Sequence, residues 1–177
     1  MDGAADNVRR RGRAWYLHDL PTSGYGRYFE DLEPGQSFQH WPGRTITEFD
    51  DTLFSLLSMN QHPVHIDEHY AAGTQHGRRL VEGPIVISLV IGMSQADIGG
   101  CAMETLEYSD IRHTLPVFHG DTIYAESTVL DKSEMPDGRG VIQIEHLGLN
   151  QRREKVLTMR RKIVLSRRPS NFGSARR

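Results

Sequence analysis

The sequence predicts an α+β domain, and three observations predict it. Residues 85–91 are apolar except for Ser88 and follow Gly83-Pro84; proline suits the first helical position, and a helix apolar on nearly all sides is a buried one. After Cys101 the pattern changes to strand-like stretches at residues 102–110, 122–132, 140–150 and 155–165. Turn signals fall at Met135-Pro136-Asp137-Gly138 and at residues 150–154. One more strand candidate, residues 36–48, precedes the helical part and is broken near Pro42-Gly43. A strand, a helical layer and a run of antiparallel strands together make an α+β domain.

Taken in order, residues 1–26 read as a polar, arginine-bearing tail in which Trp15, Tyr16 and Leu17 are available to dock on the body. A short helical turn is expected at residues 28–32, followed by a turn at Glu33-Pro34-Gly35. Ile46 sits between two threonines, the alternation of a half-buried strand, and Thr47 suits the N-cap of a helix starting near Glu48. Within that helix Phe49, Leu53, Leu56 and Leu57 recur at helical spacing, with Asp50 and Asp51 in its first turn. Pro63 lacks an N–H and biases His62 away from helix, so the helix is expected to end near Asn60 and residues 61–65 to form a fixed loop. Asp67 can cap a short helix reaching residue 72. Residues 73–79 are polar and basic, Gly99-Gly100 closes the long apolar helix, and residues 167–177 read as a second tail.

A chain of 177 residues suggests one domain, placed at residues 27–166. Its hydrophobic content of 37% is modest, so part of the apolar surface is expected to be completed by a partner subunit. A formal charge of −2 argues against bulk nucleic-acid binding, which needs a concentrated basic face; the basic stretches 9–13 and 152–177 read as solvated. The single cysteine, Cys101, excludes an intrachain disulfide, fits a reducing cytosol and reads as a small buried residue. The N-terminus has no continuous apolar h-region, and no run of about 18 apolar residues exists, so a cytoplasmic protein with no membrane span is expected.

The chemistry-bearing stretch is residues 57–67, Leu-Ser-Met-Asn-Gln-His-Pro-Val-His-Ile-Asp. His65 reads from the sequence alone either as a structural histidine after a proline or as a proton carrier, since an imidazole exchanges protons near neutral pH. His62, three residues earlier, reads equally as a second proton carrier or a surface histidine. Gly83 begins the apolar helix, whose free N–H groups can hold a carbonyl oxygen as it gains charge, or it simply permits the turn into Pro84. Arg78 and Arg79 precede it; guanidinium forks match a carboxylate or a phosphate, or the pair is solvated loop. Arg44 and Arg112 are unranked alternatives. His113, His119 and His146 are scattered among strands without a metal-ligand pattern, and no metal or other cofactor is expected.

The same stretch resembles the active-site segment of the MaoC-like hydratases, the (R)-specific enoyl-CoA hydratase branch of the hotdog fold. That family typically reads Gly-Asp-x-Asn-Pro-Leu-His-x-Asp. His65, Pro63 and Asp67 fall on their family positions, Asn60 stands where the catalytic aspartate is usual, and His62 where an asparagine is usual. Three further pieces lie in the family's order: Tyr-Phe-Glu-Asp-Leu-x-x-Gly from Tyr28, Arg-Thr-Ile-Thr-Glu from Arg44, and Pro-Val-Phe-His-Gly-Asp-Thr from Pro116. The resemblance covers residues 28–165, and the Met-Asn pair at 59–60 is similar to the branch that hydrates mesaconyl- or itaconyl-type substrates.

The resemblance implies a single hotdog domain, a curled antiparallel sheet wrapped around a long central helix. It implies a hydro-lyase that reversibly adds water to an enoyl thioester, with His65 as acid and base and the acyl chain on CoA or a carrier protein. Asn60 would hold the water or orient His65, since an amide takes no proton as a carboxylate does; alternatively its presence marks a non-catalytic thioester-binding subunit. Glu82 stands where the family has a histidine before the helix-start glycine. A carboxylate disfavours a neighbouring oxyanion, so Glu82 is expected to point away or to act as an acid or base itself. A thioesterase is the weaker enzyme alternative, because residues 85–93 carry no acidic residue. The family pairs two units into a longer sheet, which implies a homodimer.

Overall fold

The computed structural model describes residues 25–168, so the tail readings at Trp15, Tyr16 and Leu17 lie outside the described residues. Its strands are β1 (Ser37–Thr45), β2 (Ala102–His113), β3 (Thr122–Glu134), β4 (Gly140–Leu149) and β5 (Lys155–Leu165). They form one antiparallel sheet in the order β1-β3-β4-β5-β2, leaving β1 and β2 as its edges. The break expected at Pro42-Gly43 is a register shift between His40 and Arg44. The helices are α1 (Glu48–Ser58), α2 (Pro63–Ile66), α3 (Glu68–Ala72) and α4 (Gly83–Ser94). Helix α4 packs against β1, β3 and β4. A curled sheet around one central helix is the hotdog arrangement.

Two apolar clusters form the core. One joins α4, through Ile85, Val86 and Val90, to Ile123, Leu157 and Met159 of the sheet. The other gathers Phe29, Leu32, Ile98, Ile142, Ile144 and Ile163. Between them runs a polar row with one residue from each of four neighbouring strands. His40 Nδ1 meets Asp97 at 2.7 Å, His40 Nε2 meets the Ser127 hydroxyl at 2.7 Å, and that hydroxyl meets His146 Nδ1 at 2.7 Å. Arg161 is the fourth member, buried, with Nε and Nη1 lacking partners among the described residues. Burial, together with the Arg161 charge, pushes the His146 pKa down to about 3, which keeps that imidazole neutral.

Thr47 caps α1 as expected: its hydroxyl accepts the Asp50 N–H at 3.2 Å and the Asp50 carboxylate accepts the Thr47 N–H at 2.8 Å. The apolar stripe of this helix does not face the core, however. Phe49, Leu53, Leu56 and Leu57 are exposed, while Asp51 and Ser55 are buried. The reason is polar attachment: Asp51 and Ser55 bind groups on the body beneath, and the stripe is left on the outside. The helix ends at Met59 in the left-handed conformation, φ 58°, before Pro63 acts. Of the fixed loop expected at residues 61–65, residues 63–65 are helical. Pro63 takes the first position of the single-turn helix α2, with His62 Nδ1 accepting the Val64 N–H at 3.2 Å as its cap.

Helix α4 stops at Ser94, earlier than Gly99-Gly100, which instead open a tight turn, Gly99–Cys101. Its Pro84, Ser88 and Gly92 side is exposed, so its burial is one-sided. At the C-terminus Arg167 returns to the body, with its guanidinium 4.9 Å from the Phe29 ring and Nε donating to the Gly138 carbonyl at 2.8 Å.

Candidate active site

Helix α2 places His65. The Leu80 carbonyl lies 2.9 Å from His65 Nδ1, and the Leu80 N–H donates to the Val64 carbonyl at 3.1 Å. A carbonyl oxygen only accepts, so Nδ1 carries the proton and Nε2 of the neutral ring keeps a lone pair. His65 lines a cavity of about 390 Å³ shared with Gly83, Val86, His113, Leu115 and Val117.

The opposite element is the start of α4. Gly83 has no room for a side chain: a Cβ there would lie 2.7 Å from His113 Nε2. The backbone donors around it are mostly committed. The Glu82 N–H donates to Asp51 Oδ1 at 2.9 Å, Pro84 has none, and the Ile85 N–H reaches the Glu82 carbonyl at 3.2 Å. The Gly83 N–H is left, among the described residues, with no partner.

Glu82 is 1% exposed and turned toward α1, where the Ser55 hydroxyl donates to Oε1 at 2.6 Å and the Ser58 hydroxyl lies 3.5 Å from Oε2. Asp51, 0% exposed, accepts the Glu82 N–H with one oxygen and meets His119 Nε2 at 2.8 Å with the other. Two buried carboxylates thus join α1 to the residue preceding Gly83 without lining the cavity.

The other predicted site residues fall around this centre. Asn60 Oδ1 accepts the His62 N–H at 3.1 Å, a local turn, and Asn60 is not among the cavity-lining residues. His62 is exposed, its ring 6.0 Å from the His65 ring in edge geometry, and Pro63 serves as the start of α2. The Arg78 guanidinium stacks 3.9 Å from the Phe118 ring centroid. Arg79 is committed to two carboxylates, Glu68 at 2.8 Å and Glu48, so it is not a free anion ligand. Arg44 pairs with Asp50 at 2.7 Å, and Arg112 lines a separate groove with Asp110 and Glu145. Of the predicted set the fold brings His65 and Gly83 to one cavity.

His76 and His113 line the same cavity; the sequence marks His76 only as part of the polar stretch 73–79 and His113 only as a strand histidine without a metal-ligand pattern. Partial desolvation lowers the His113 pKa, although the residue as a whole is exposed. No local pattern marks it, since it closes a strand and meets Gly83 through tertiary packing alone.

Comparison with known proteins gives one consistent result. The model of the MaoC-like domain matches residues 30–150. Mesaconyl-CoA hydratase of Cereibacter sphaeroides is 33% identical over 144 residues, 81% of this chain and 42% of that protein. The (R)-specific enoyl-CoA hydratase of Rhodospirillum rubrum is 35% identical over 105 residues, 58% of this chain and 69% of that protein. A MaoC domain dehydratase structure from Chloroflexus aurantiacus superposes with a TM-score of 0.79 at 28% identity, covering 89% of this chain and 45% of the other. The chain therefore spans under half the length of two of these three relatives.

Proposed function

Because the chain belongs to the MaoC-like domain family, we propose that it is a hydro-lyase, reversibly adding water across the double bond of an α,β-unsaturated acyl thioester. The observation that carries this reading is His65. Its ring is fixed through Nδ1 on the Leu80 carbonyl, which leaves Nε2 as the proton-accepting atom in an apolar cavity. In hydration the water oxygen bonds to the β-carbon while Nε2 takes the water proton. The double-bond electrons move onto the α-carbon and thioester oxygen, and His65 returns the proton to the α-carbon. The Gly83 N–H, at the positive end of α4, faces the charge that gathers on that oxygen. Asn60 spends its carbonyl on the His62 N–H, so proton transfer rests on His65.

CoA is the carrier this reading favours, and acyl carrier protein the alternative. A carboxylated, mesaconyl-type acyl chain suits the Arg78 guanidinium, since Arg79 is already neutralised by Glu48 and Glu68. A second reading, a thioester-binding subunit without turnover, is favoured by the amide at Asn60. Following enoyl-thioester absorbance with crotonyl-CoA and mesaconyl-CoA separates them. Turnover with higher kcat/KM on mesaconyl-CoA is expected, and tight binding without turnover on either would support the second reading.

A homodimer completes the proposal. Edge strand β2 has an unpaired side and exposes Met103, Leu106, Tyr108 and Ile111, and α1 exposes its apolar stripe. Light scattering at working concentration is expected to report at least a dimer; a monodisperse monomer would contradict this. Among the described residues no helix is long and apolar enough to cross a membrane, and a cytoplasmic location is the reading that accords with the single, buried Cys101.

A further inference from the structure

We propose that His113 is the second hydrogen-bond donor to the thioester oxygen, completing with the Gly83 N–H an oxyanion hole at the start of α4. The inference rests on the hydro-lyase reading. Stabilising an enolate oxygen takes preorganised donors aimed at one point. The backbone here supplies one: Glu82 has given its N–H to Asp51, Pro84 has none, and Ile85 is bonded to Glu82. The missing donor must come from a side chain, and His113 Nε2 is the polar side-chain atom packed where a Gly83 Cβ would stand. Both groups line the cavity that holds His65.

No hydrogen bond joins the Gly83 N–H to the His113 ring, so both remain available to a third atom between them. The positive end of the helix and partial desolvation both disfavour an imidazolium at this place. A neutral ring protonated on Nε2 polarises a carbonyl without giving up its proton, so the proton account stays with His65. The same contact explains why position 83 is glycine: any side chain would displace the His113 ring.

The test is steady-state kinetics of His113→Phe and His113→Gln on crotonyl-CoA. The His113 side chain keeps solvent on one side, so both variants are expected to fold with unchanged far-UV circular dichroism. A donor that acts on the charged transition state shows in kcat: His113→Phe should lose about 10²-fold with KM nearly unchanged, and His113→Gln, which keeps an N–H, should recover part of it. The readout independent of turnover is the red shift of bound para-dimethylaminocinnamoyl-CoA, a measure of carbonyl polarisation. It should be large in the wild type and reduced in His113→Phe at saturating probe. Wild-type kcat together with a full red shift in His113→Phe would overturn the proposal. A wild type that turns over no enoyl thioester would overturn the hydro-lyase reading, and the red shift would then decide on His113 by itself.

Discussion

Replacing His65 with alanine is expected to lower kcat/KM by about 10²- to 10⁴-fold, the range that loss of a positioned general acid–base gives. The fold should survive, because His65 is half-buried on a short helix whose backbone bond from Leu80 to Val64 is independent of the ring. His65→Asn sharpens the point. Its amide can still donate to the Leu80 carbonyl, the anchor that Nδ1 provides at 2.9 Å, but it offers no basic nitrogen to the cavity. If His65 moves protons, the asparagine variant falls as far as alanine. If the ring only shapes the loop, the asparagine variant keeps most of its activity, and the proton-transfer role is lost with it.

The largest stability effect is expected at Asp51. Its carboxylate is fully buried and satisfies the Glu82 N–H and His119 Nε2 at once. Asp51→Ala leaves the Glu82 N–H unsatisfied in the interior and takes the acceptor from half-buried His119, and losing two hydrogen bonds to a carboxylate costs about 3 kcal/mol. For a domain of this size that corresponds to a fall in Tm of about 6–12 °C. Asp51→Asn keeps an acceptor for the Glu82 N–H and should fall less. Activity should drop in the alanine variant even below its melting transition, because Glu82 immediately precedes Gly83 and fixes where α4 starts. A Tm within about 2 °C of wild type would mean that α1 is held to the body by something other than this carboxylate.

Much of the fold was legible because its signals are local. The segment 155–165 was readable as a strand from its pattern, and β5 is Lys155–Leu165. Thr47 with Asp50 three residues on is a cap that needs no tertiary context, and Gly83-Pro84 announces a helix start for the same reason. What failed were inferences about facing. The leucines of α1 have helical period, yet period alone does not say which side the body occupies, and here it meets Asp51 and Ser55. Charged residues read as surface, so the buried positions of Asp51 and Glu82 were hidden until the Ser55 hydroxyl and Glu82 backbone were seen to satisfy them. The row of His40, Ser127, His146 and Arg161 occupies inward positions of four strands, where the apolar alternation lapses in register. At the site, His65 was legible from its motif, whereas His113 gains its place only when the end of β2 is folded against Gly83.

The most direct test of the central claim is to follow the oxygen. The purified protein is incubated with crotonyl-CoA in water enriched in heavy oxygen, and the products are weighed by mass spectrometry. A hydro-lyase working through His65 must yield 3-hydroxybutyryl-CoA with one heavy oxygen on the β-carbon and the thioester intact. Heavy oxygen in a released carboxylate, with free CoA, would instead be thioester hydrolysis. Crotonyl-CoA and mesaconyl-CoA both bound and both recovered unchanged would contradict hydro-lyase chemistry at this cavity.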